Sequence, residues 1–316
     1  MDNQVLITGV RGFVGTNLKN YLIENGDYKI TGSSRNKDLL KLMENELHQI
    51  TSHEEIIKSK QSFKCYVHLS GKVYDVKDKS NSRDYFKVNF GLTKQLFDQF
   101  LSDEKSDKFI FISTIHVLTE NPDRVLDENY DPEPFTPYGK SKFKAEKYIS
   151  ENCPPNKKYY ILRPTMIHGP GNKGNLNMLY GLIKKGIPYP IGAVNNKRSF
   201  VSVENLCFII QQILDDDVES GLYHIADDEP TYTHDLIHMI ADLTGKRARI
   251  WTIPPPVLKI IAKIGNVLPI PLNDHRLVKL TGDFLVSNTK IKRAIGKPLP
   301  VKAKDGLKKT INSFNE

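Results

Sequence analysis

The sequence has 316 residues, of which 39% are hydrophobic and 26% are charged, which is typical of a globular protein with one large domain or two smaller ones. Its longest apolar segment, 254–272, is broken by lysines and prolines, so no membrane insertion is expected. The formal charge of +8 comes from scattered lysines without an aromatic-interleaved basic stripe, so no nucleic-acid partner is expected.

The first residues and the cysteines point to a cytoplasmic protein. The start "MDNQVLITG" enters a strand without a basic region followed by an apolar run, so no signal peptide is expected. Cys65, Cys153 and Cys207 lie far apart and lack the spacing of zinc ligands. They are predicted to be reduced thiols, and no metal site is expected.

The first half of the chain alternates short β-branched runs with longer helical patterns, as βαβ units do. A helix after the first strand is predicted to stop at Gly26, and helical spacing extends over 82–101. The pattern predicts an α/β fold with a Rossmann-like, doubly wound parallel sheet. Its strands are expected at 4–8, 29–31, 65–70, 108–113 and 159–164.

The regular alternation of predicted strands and helices ends after about residue 165. A helix near 175–185, a strand at "RSFVSV", another helix and a proline-rich stretch follow. We predict a first domain over 1–165 and a smaller C-terminal lobe over 166–316, with segments of the lobe able to return to the sheet.

Three glycines follow the first predicted strand and open the first helix. Gly9, Gly12 and Gly15, in "VLITGVRGFVGTNL", allow a tight turn and close approach of a pyrophosphate, which the helix N-terminus would stabilise. Their position between a strand and a helix makes this a strong dinucleotide-binding signal.

The end of the second strand bears on which dinucleotide binds. A carboxylate there would hydrogen-bond the ribose 2′-hydroxyl, but this chain has Ser34 and Arg35 and no acid until Asp38. Arg11, inside the glycine loop, adds a second cation. NADP(H) is therefore favoured and NAD(H) is the alternative, since both arginines could also be plain surface charges.

A tyrosine and a lysine share a predicted helical face in "FTPYGKSKFKAEKYI". Tyr138 and Lys142 are four residues apart, a spacing that alone usually means a half-buried ring under a lysine stem. A free phenol with a pKa near 10 is a poor base at neutral pH, and a nearby cation favours its phenolate form.

Several motifs together resemble the extended short-chain dehydrogenase/reductase superfamily, in its nucleotide-sugar epimerase/dehydratase branch. The resemblance covers nearly the whole chain. The C-terminal "RLVKLTGDFLVSNTKIKRAIG" is also similar to bacterial enzymes that modify UDP-4-keto-6-deoxy-N-acetylhexosamines for surface polysaccharides. The matching stretches are "GVRGFVG", "VHLSG", "VNFGLTKQLFD", "FISTIHV", "YGKSK", "LRPTMIHGPGN" and "KRSFVSVENL".

The resemblance implies a catalytic trio. Tyr138 would move a proton to or from a substrate hydroxyl, Lys142 would bind the nicotinamide ribose and lower the phenol pKa, and Thr114 would hydrogen-bond the reacting oxygen. Further coenzyme contacts are implied for Phe13, Val14, Leu69, Ser70, Gly71 and Asn89.

The resemblance also places the nucleotide-sugar substrate on the C-terminal lobe. Arg198 would hold the diphosphate, and Asn175 would contact the same group. Arg276 is a weaker candidate for a second phosphate contact, because the match to the family there needs a gap, and a surface ion pair explains it equally well. A homodimer is implied through the helices that include 81–101 and 137–151, although their apolar positions also fit an internal core.

The residues after Thr114 limit the reaction. Dehydratases of this branch carry an acid pair there, whereas this chain has Ile115 and His116, so a dehydratase is not expected. Reduction of a UDP-linked 4-keto-6-deoxy-N-acetylhexosamine is favoured, because NADP(H) suits a reductase. The alternatives are a UDP-hexose 4-epimerase, for glucose/galactose or their N-acetyl forms, and a non-catalytic dinucleotide-sensing module. Such modules characteristically lack the tyrosine or the lysine.

Overall fold

A computed structural model describes residues 3–34, 47–58, 61–73, 81–172, 174–266 and 272–315. Its strands are β1 Gln4–Thr8, β2 Lys29–Ser34, β3 Gln49–Ser52, β4 Cys65–His68, β5 Lys108–Ile112, β6 Lys158–Pro164, β7 Met166–His168, β8 Lys197–Arg198, β9 Phe200–Ser202, β10 Gly221–Ile225 and β11 Thr231–Tyr232. Its α-helices are α1 Phe13–Asn25, α2 His53–Lys58, α3 Ser82–Tyr85, α4 Leu92–Ser102, α5 Pro137–Asn152, α6 Asn175–Lys184, α7 Val203–Asp215, α8 Thr233–Leu243, α9 Pro255–Gly265, α10 Asp274–Thr281, α11 Thr289–Ile295 and α12 Ala303–Asn312.

Seven parallel strands form one sheet in the order β10, β6, β5, β4, β1, β2, β3. The chain starts at β1, runs outward to β3, and then returns to β4 on the other side of β1. This reversal confirms the predicted doubly wound sheet, and it places the switch point of the topology between β1 and β4. Ligands of such sheets bind at that point, beyond the carboxyl ends of the strands.

The strands are apolar on both faces because helices cover both sides of the sheet. Along β1, Val5 and Ile7 join the core under α1 and α7, whereas Leu6 joins the core on the opposite face. Along β5, Ile110 and Phe111 divide between the two faces in the same way. The five predicted strands are confirmed, with β2 longer than expected.

Two strands of the sheet were not predicted. The edge strand β3 has only the four residues "QITS", and β10 comes from the C-terminal half of the chain, where it pairs with β6. The expected return of C-terminal segments to the sheet therefore occurs, and α7 packs beside α1 on it. The division at residue 165 stays a prediction.

The helix predicted over 82–101 is interrupted. It runs as α3, then a π-helical segment Phe86–Gly91, and then α4. A π-segment adds a residue to the turn and is frequent at functional sites. Here it contains Asn89, whose side chain is fully buried.

None of the helices in the described part of the chain is long and apolar enough to span a bilayer.

Two buried histidines should make the fold sensitive to acid. Burial lowers the pKa of His68 well below 6.5 and that of His224 to about 3, so the unfolded chain binds more protons below pH 6.5. The free energy of unfolding should fall as pH drops from 6.5 toward 3, by about 1.4 kcal/mol per pH unit for each histidine. Urea denaturation across this range measures it. His224→Gln should flatten the slope by one proton, and an unchanged slope would contradict the assignment.

Candidate active site

The glycine loop after β1 is shaped for close approach of a ligand. Gly9 has φ 72°, in the left-handed region that favours glycine, and a Cβ there would lie 2.9 Å from the Ser70 nitrogen. A Cβ on Gly15 would lie 2.3 Å from the Gly9 carbonyl oxygen. Gly12 is the N-cap residue of α1 and has no side chain with which to cap that helix. The first-turn N–H groups, including those of Phe13 and Val14, therefore suit a bound anion, so the loop fits a dinucleotide pyrophosphate.

Gly15→Ala should disturb the packing of α1 on this loop, because its Cβ would meet two backbone atoms at 2.3 and 2.7 Å. We expect a loss of about 1–3 kcal/mol in the free energy of unfolding, measured with urea. Gly181→Ala is the matched control, since no described residue beyond the backbone of its own helix lies within 4 Å of the Cβ that it would gain. That helical position should gain about 0.5–1 kcal/mol. Equal effects at the two glycines would refute the packing argument.

A histidine links the ends of β2 and β4 beside this loop. His53 Nδ1 lies 2.6 Å from Ser33 Oγ, and its Nε2 lies 3.0 Å from Ser70 Oγ. Ser34 ends β2 half-buried, and Arg11 is exposed in the glycine loop. Arg35 lies outside the described residues. Sequence reasoning missed His53, because only the fold brings it between the two serines.

Tyr138 and Thr114 meet at the carboxyl end of β5. Thr114 follows the strand in extended conformation and caps a 3-10 turn, where its Oγ1 accepts a hydrogen bond from the His116 N–H at 3.3 Å. Tyr138 lies in the first turn of α5, which Thr136 caps through Gly139. The Thr114 side chain lies close enough to the Tyr138 phenol to lower its pKa.

Lys142 lies one turn further along α5 and is buried. Its Nζ donates to the Ile112 carbonyl at 2.8 Å and lies 4.5 Å from the centre of the Phe111 ring. A Cβ on Gly71 would lie 3.2 Å from the same Nζ, so the segment after β4 touches the lysine. Leu69, Ser70 and Gly71 thus lead from β4 toward the phenol–lysine pair.

Burial shifts the pKa values of Tyr138 and Lys142 so that the uncharged form of each side chain is favoured. It raises the pKa of Tyr138 to about 12, against a lowering by the Thr114 side chain. It lowers the pKa of Lys142 to about 8, against a raising by Glu146. The lysine is therefore largely charged at neutral pH. The predicted lowering of the phenol pKa by Lys142 is not seen in the protein by itself, because desolvation of the phenol dominates.

Asn89 joins the π-segment to the segment after β4 and to helix α5. Its Oδ1 accepts from the Lys72 N–H at 2.7 Å, and its Nδ2 donates to the Lys72 carbonyl at 3.1 Å. The same amide donates to Ser141 Oγ at 3.0 Å, and that hydroxyl donates to the Tyr138 carbonyl. Asn89 thus holds the segment after β4 against the helix that carries Tyr138.

A buried ion pair lies behind the lysine. Glu146, four residues after Lys142, accepts from Arg163 Nη2 at 2.7 Å and from its Nε at 3.0 Å. Ser113 Oγ also donates to this carboxylate, and Arg163 Nη1 lies 3.5 Å from His224 Nε2. The i+4 spacing from Lys142 was visible in the sequence, but the partner on β6 was not.

A charged cluster lies near His116, two residues after Thr114. Arg198 donates to the Lys279 carbonyl, and Lys279 Nζ lies 2.7 Å from Glu120 Oε1. The exposed His116 packs against Phe284, with ring centres 5.7 Å apart. Desolvation by the surrounding protein lowers the pKa of His116, and the cations of Lys279 and Arg198 lower it further. Arg198 therefore lies close enough to His116, two residues after Thr114, to affect its titration.

The other two predicted substrate residues are both exposed. Asn175 is the first residue of α6, and Arg276 lies on α10, one turn before Lys279. No group of three or more His, Cys, Asp or Glu side chains placed to hold a metal ion occurs in the described ranges.

The model of the NAD dependent epimerase/dehydratase family matches residues 5–226. The chain is 31% identical to the UDP-glucose 4-epimerase of Vibrio cholerae over 99% of this chain and 96% of that protein. It is 26% identical to the N-acetyl-alpha-D-glucosaminyl-diphospho-ditrans,octacis-undecaprenol 4-epimerase of Escherichia coli O157:H7, over 93% of this chain and 86% of that protein.

The fold matches the crystal structure of UDP-glucose 4-epimerase with UDP-glucose from Thermotoga maritima. The TM-score is 0.78 at 20% sequence identity, and the match covers 99% of this chain and 98% of that chain. The resemblance to the nucleotide-sugar epimerase/dehydratase branch is confirmed. The chain belongs to the NAD dependent epimerase/dehydratase family and is an enzyme of the extended short-chain dehydrogenase/reductase type.

Proposed function

We propose that this enzyme is a nucleotide-sugar 4-epimerase that acts on a UDP-hexose or its N-acetyl form. The observation that carries this proposal is the placement of the Tyr138 phenol beside the Thr114 side chain at the carboxyl end of β5, with Lys142 buried one turn away. The relatives from Vibrio cholerae and Escherichia coli, both named as 4-epimerases, support this reaction.

The proposed chemistry places proton transfer on Tyr138. Its Oη takes the proton of the C4 hydroxyl and later returns it, while Thr114 Oγ1 hydrogen-bonds the same substrate oxygen. The nicotinamide coenzyme, when bound on the Gly9–Gly15 loop, supplies reversible hydride transfer. Because burial holds the pKa of Tyr138 near 12, its phenolate needs positive charge nearby. The Lys142 ammonium is the protein's own source of that charge.

We assign substrate binding to the charged cluster of Arg198, Lys279 and Glu120. The Arg198 guanidinium would hold the diphosphate, because its planar fork matches phosphate oxygens. Asn175 and Arg276 remain candidates for further contacts at the ends of α6 and α10. Lys279 is added to this set, because its carbonyl accepts from Arg198 and its ammonium faces Glu120.

A 4-ketoreductase is the second candidate, and the end of β2 favours it. Ser33 and Ser34 occupy the place where a carboxylate would exclude a 2′-phosphate, which supports NADP(H). An epimerase keeps its coenzyme through each cycle, whereas a reductase exchanges it at every turnover. The coenzyme retained by the purified protein therefore separates the two.

The test combines coenzyme analysis with a substrate panel. The protein is denatured and its released nucleotide identified; NMR then follows UDP-glucose, UDP-galactose, their N-acetyl forms and an undecaprenyl diphosphate-linked N-acetylhexosamine. Retained NAD with C4 inversion supports the epimerase. NADPH oxidation that requires a 4-keto sugar supports the reductase instead. Coenzyme binding without any turnover would favour the dinucleotide-sensing module.

A further inference from the structure

Two segments of the C-terminal half carry basic residues and no acidic ones. Segments 175–203 and 243–273 together carry nine Lys and Arg residues and no Asp or Glu. The other residues carry 36 Lys and Arg against 37 Asp and Glu. These two segments therefore have a net charge of +9, although they form less than a fifth of the chain.

The two segments pack together in the fold. Tyr189 pairs with Ile250 and Ile191 pairs with Thr252 in isolated β-bridges, and the Gly192 N–H donates to the Trp251 carbonyl at 2.9 Å. The same segments share a small hydrophobic core that includes Ile191, Leu258 and Ala262. Their charges consequently belong to one lobe.

The same lobe exposes an unusual amount of apolar surface. Half of the large exposed apolar side chains in the described part of the chain lie in the two segments. On α9, Val257, Ile260 and Ile264 are 43%, 59% and 44% exposed, at the i, i+3, i+7 spacing of one helical face. Trp251, just before the helix, is 58% exposed.

Each part of α9 has a separate environment. Leu258 and Ala262 are buried on the inner face, whereas Lys259 and Lys263 are exposed between the buried face and the apolar arc. A lysine placed beside an apolar arc can reach past it to an anionic surface. An outward apolar arc flanked by cations and preceded by an exposed tryptophan is the pattern of a helix that lies in a membrane interface.

We propose that the α9 surface, defined as Trp251, Val257, Lys259, Ile260, Lys263 and Ile264, docks the enzyme on an anionic lipid membrane. The apolar side chains enter the headgroup region, and the lysines contact anionic lipids. A second copy of this chain fits less well, because a twofold contact would bring like charges together. A nucleic acid would leave the isoleucines unpartnered. This inference does not depend on the proposed reaction.

Vesicle binding tests the proposal without any assay of activity. The full chain is sedimented with vesicles of phosphatidylcholine and with vesicles that also contain phosphatidylglycerol. We expect binding to the anionic vesicles that weakens with salt, and weaker binding to the neutral ones. The variant Ile260→Gln/Ile264→Gln should bind the anionic vesicles about tenfold more weakly, and so should Lys259→Gln/Lys263→Gln.

The matched control changes an exposed isoleucine and lysine elsewhere. Ile23 is 49% exposed on α1, and Lys29 is exposed at the start of β2, so Ile23→Gln/Lys29→Gln should leave vesicle binding unchanged. Glutamine is used because it keeps helix propensity on both helices. Equal binding by the wild type and the α9 variants would overturn the proposal. So would binding to an RNA or DNA probe in place of vesicles, or a dimer that only the isoleucine variant loses.

Discussion

Tyr138→Phe is expected to lower turnover by roughly 100-fold or more while leaving coenzyme binding nearly intact, which is the scale of general acid–base catalysis. The change removes only the hydroxyl beside Thr114, and the ring can keep its place beside Tyr85, whose ring centre lies 6.4 Å away. Turnover is followed by NMR with the substrate identified in the panel, and coenzyme binding by fluorescence titration.

Tyr85→Phe is the control for this change. It removes a second phenol from the same pair of rings, but Tyr85 has no place in the proposed proton transfer, so turnover should stay within a few-fold of wild type. Near-normal turnover in the Tyr138 variant would remove Tyr138 from the proposed chemistry. A similar loss in both variants would indicate that packing of the ring pair, not the Tyr138 hydroxyl, is what matters.

Glu146→Leu is expected to lower the free energy of unfolding by about 3–5 kcal/mol, because it leaves the Arg163 guanidinium buried without its carboxylate. The two side chains are only 3% and 4% exposed, so water cannot replace the lost partner. The same change removes the charge that raises the pKa of Lys142, which should then fall below about 8. Urea denaturation measures the first effect, and the alkaline limb of the activity profile measures the second.

The double variant Glu146→Leu/Arg163→Met separates pairing from packing. Replacing both charges with apolar side chains should recover most of the stability that the single variant loses, because no buried charge is left alone. The shift of the alkaline limb to lower pH should persist in the double variant, since Lys142 still lacks Glu146. A double variant as unstable as the sum of the two single ones would show that the ion pair contributes no coupling.

Local patterns were sufficient for the framework of the coenzyme site. Strands β1, β4 and β5 are short apolar runs, and Gly9, Gly12 and Gly15 mark where a strand must turn into a helix. The Tyr138–Lys142 spacing likewise follows from one helical turn. Such features depend on residues within a few positions of one another, so the order of amino acids alone predicts them.

Other features exist only because distant segments meet. His53 reaches Ser33 and Ser70 from a helix between their strands, and Arg163 reaches Glu146 from β6. The π-segment around Asn89 is stabilised by contacts with Lys72 and Ser141, which no helical period reveals.

The amino-acid sequence by itself determined the doubly wound sheet, the glycine loop and the phenol–lysine pair, since backbone periodicity and turn chemistry act over short distances. Only the tertiary structure decided the protonation of that pair. Desolvation raises the pKa of Tyr138 and lowers that of Lys142, and the extent of burial is set by packing of the whole fold around α5.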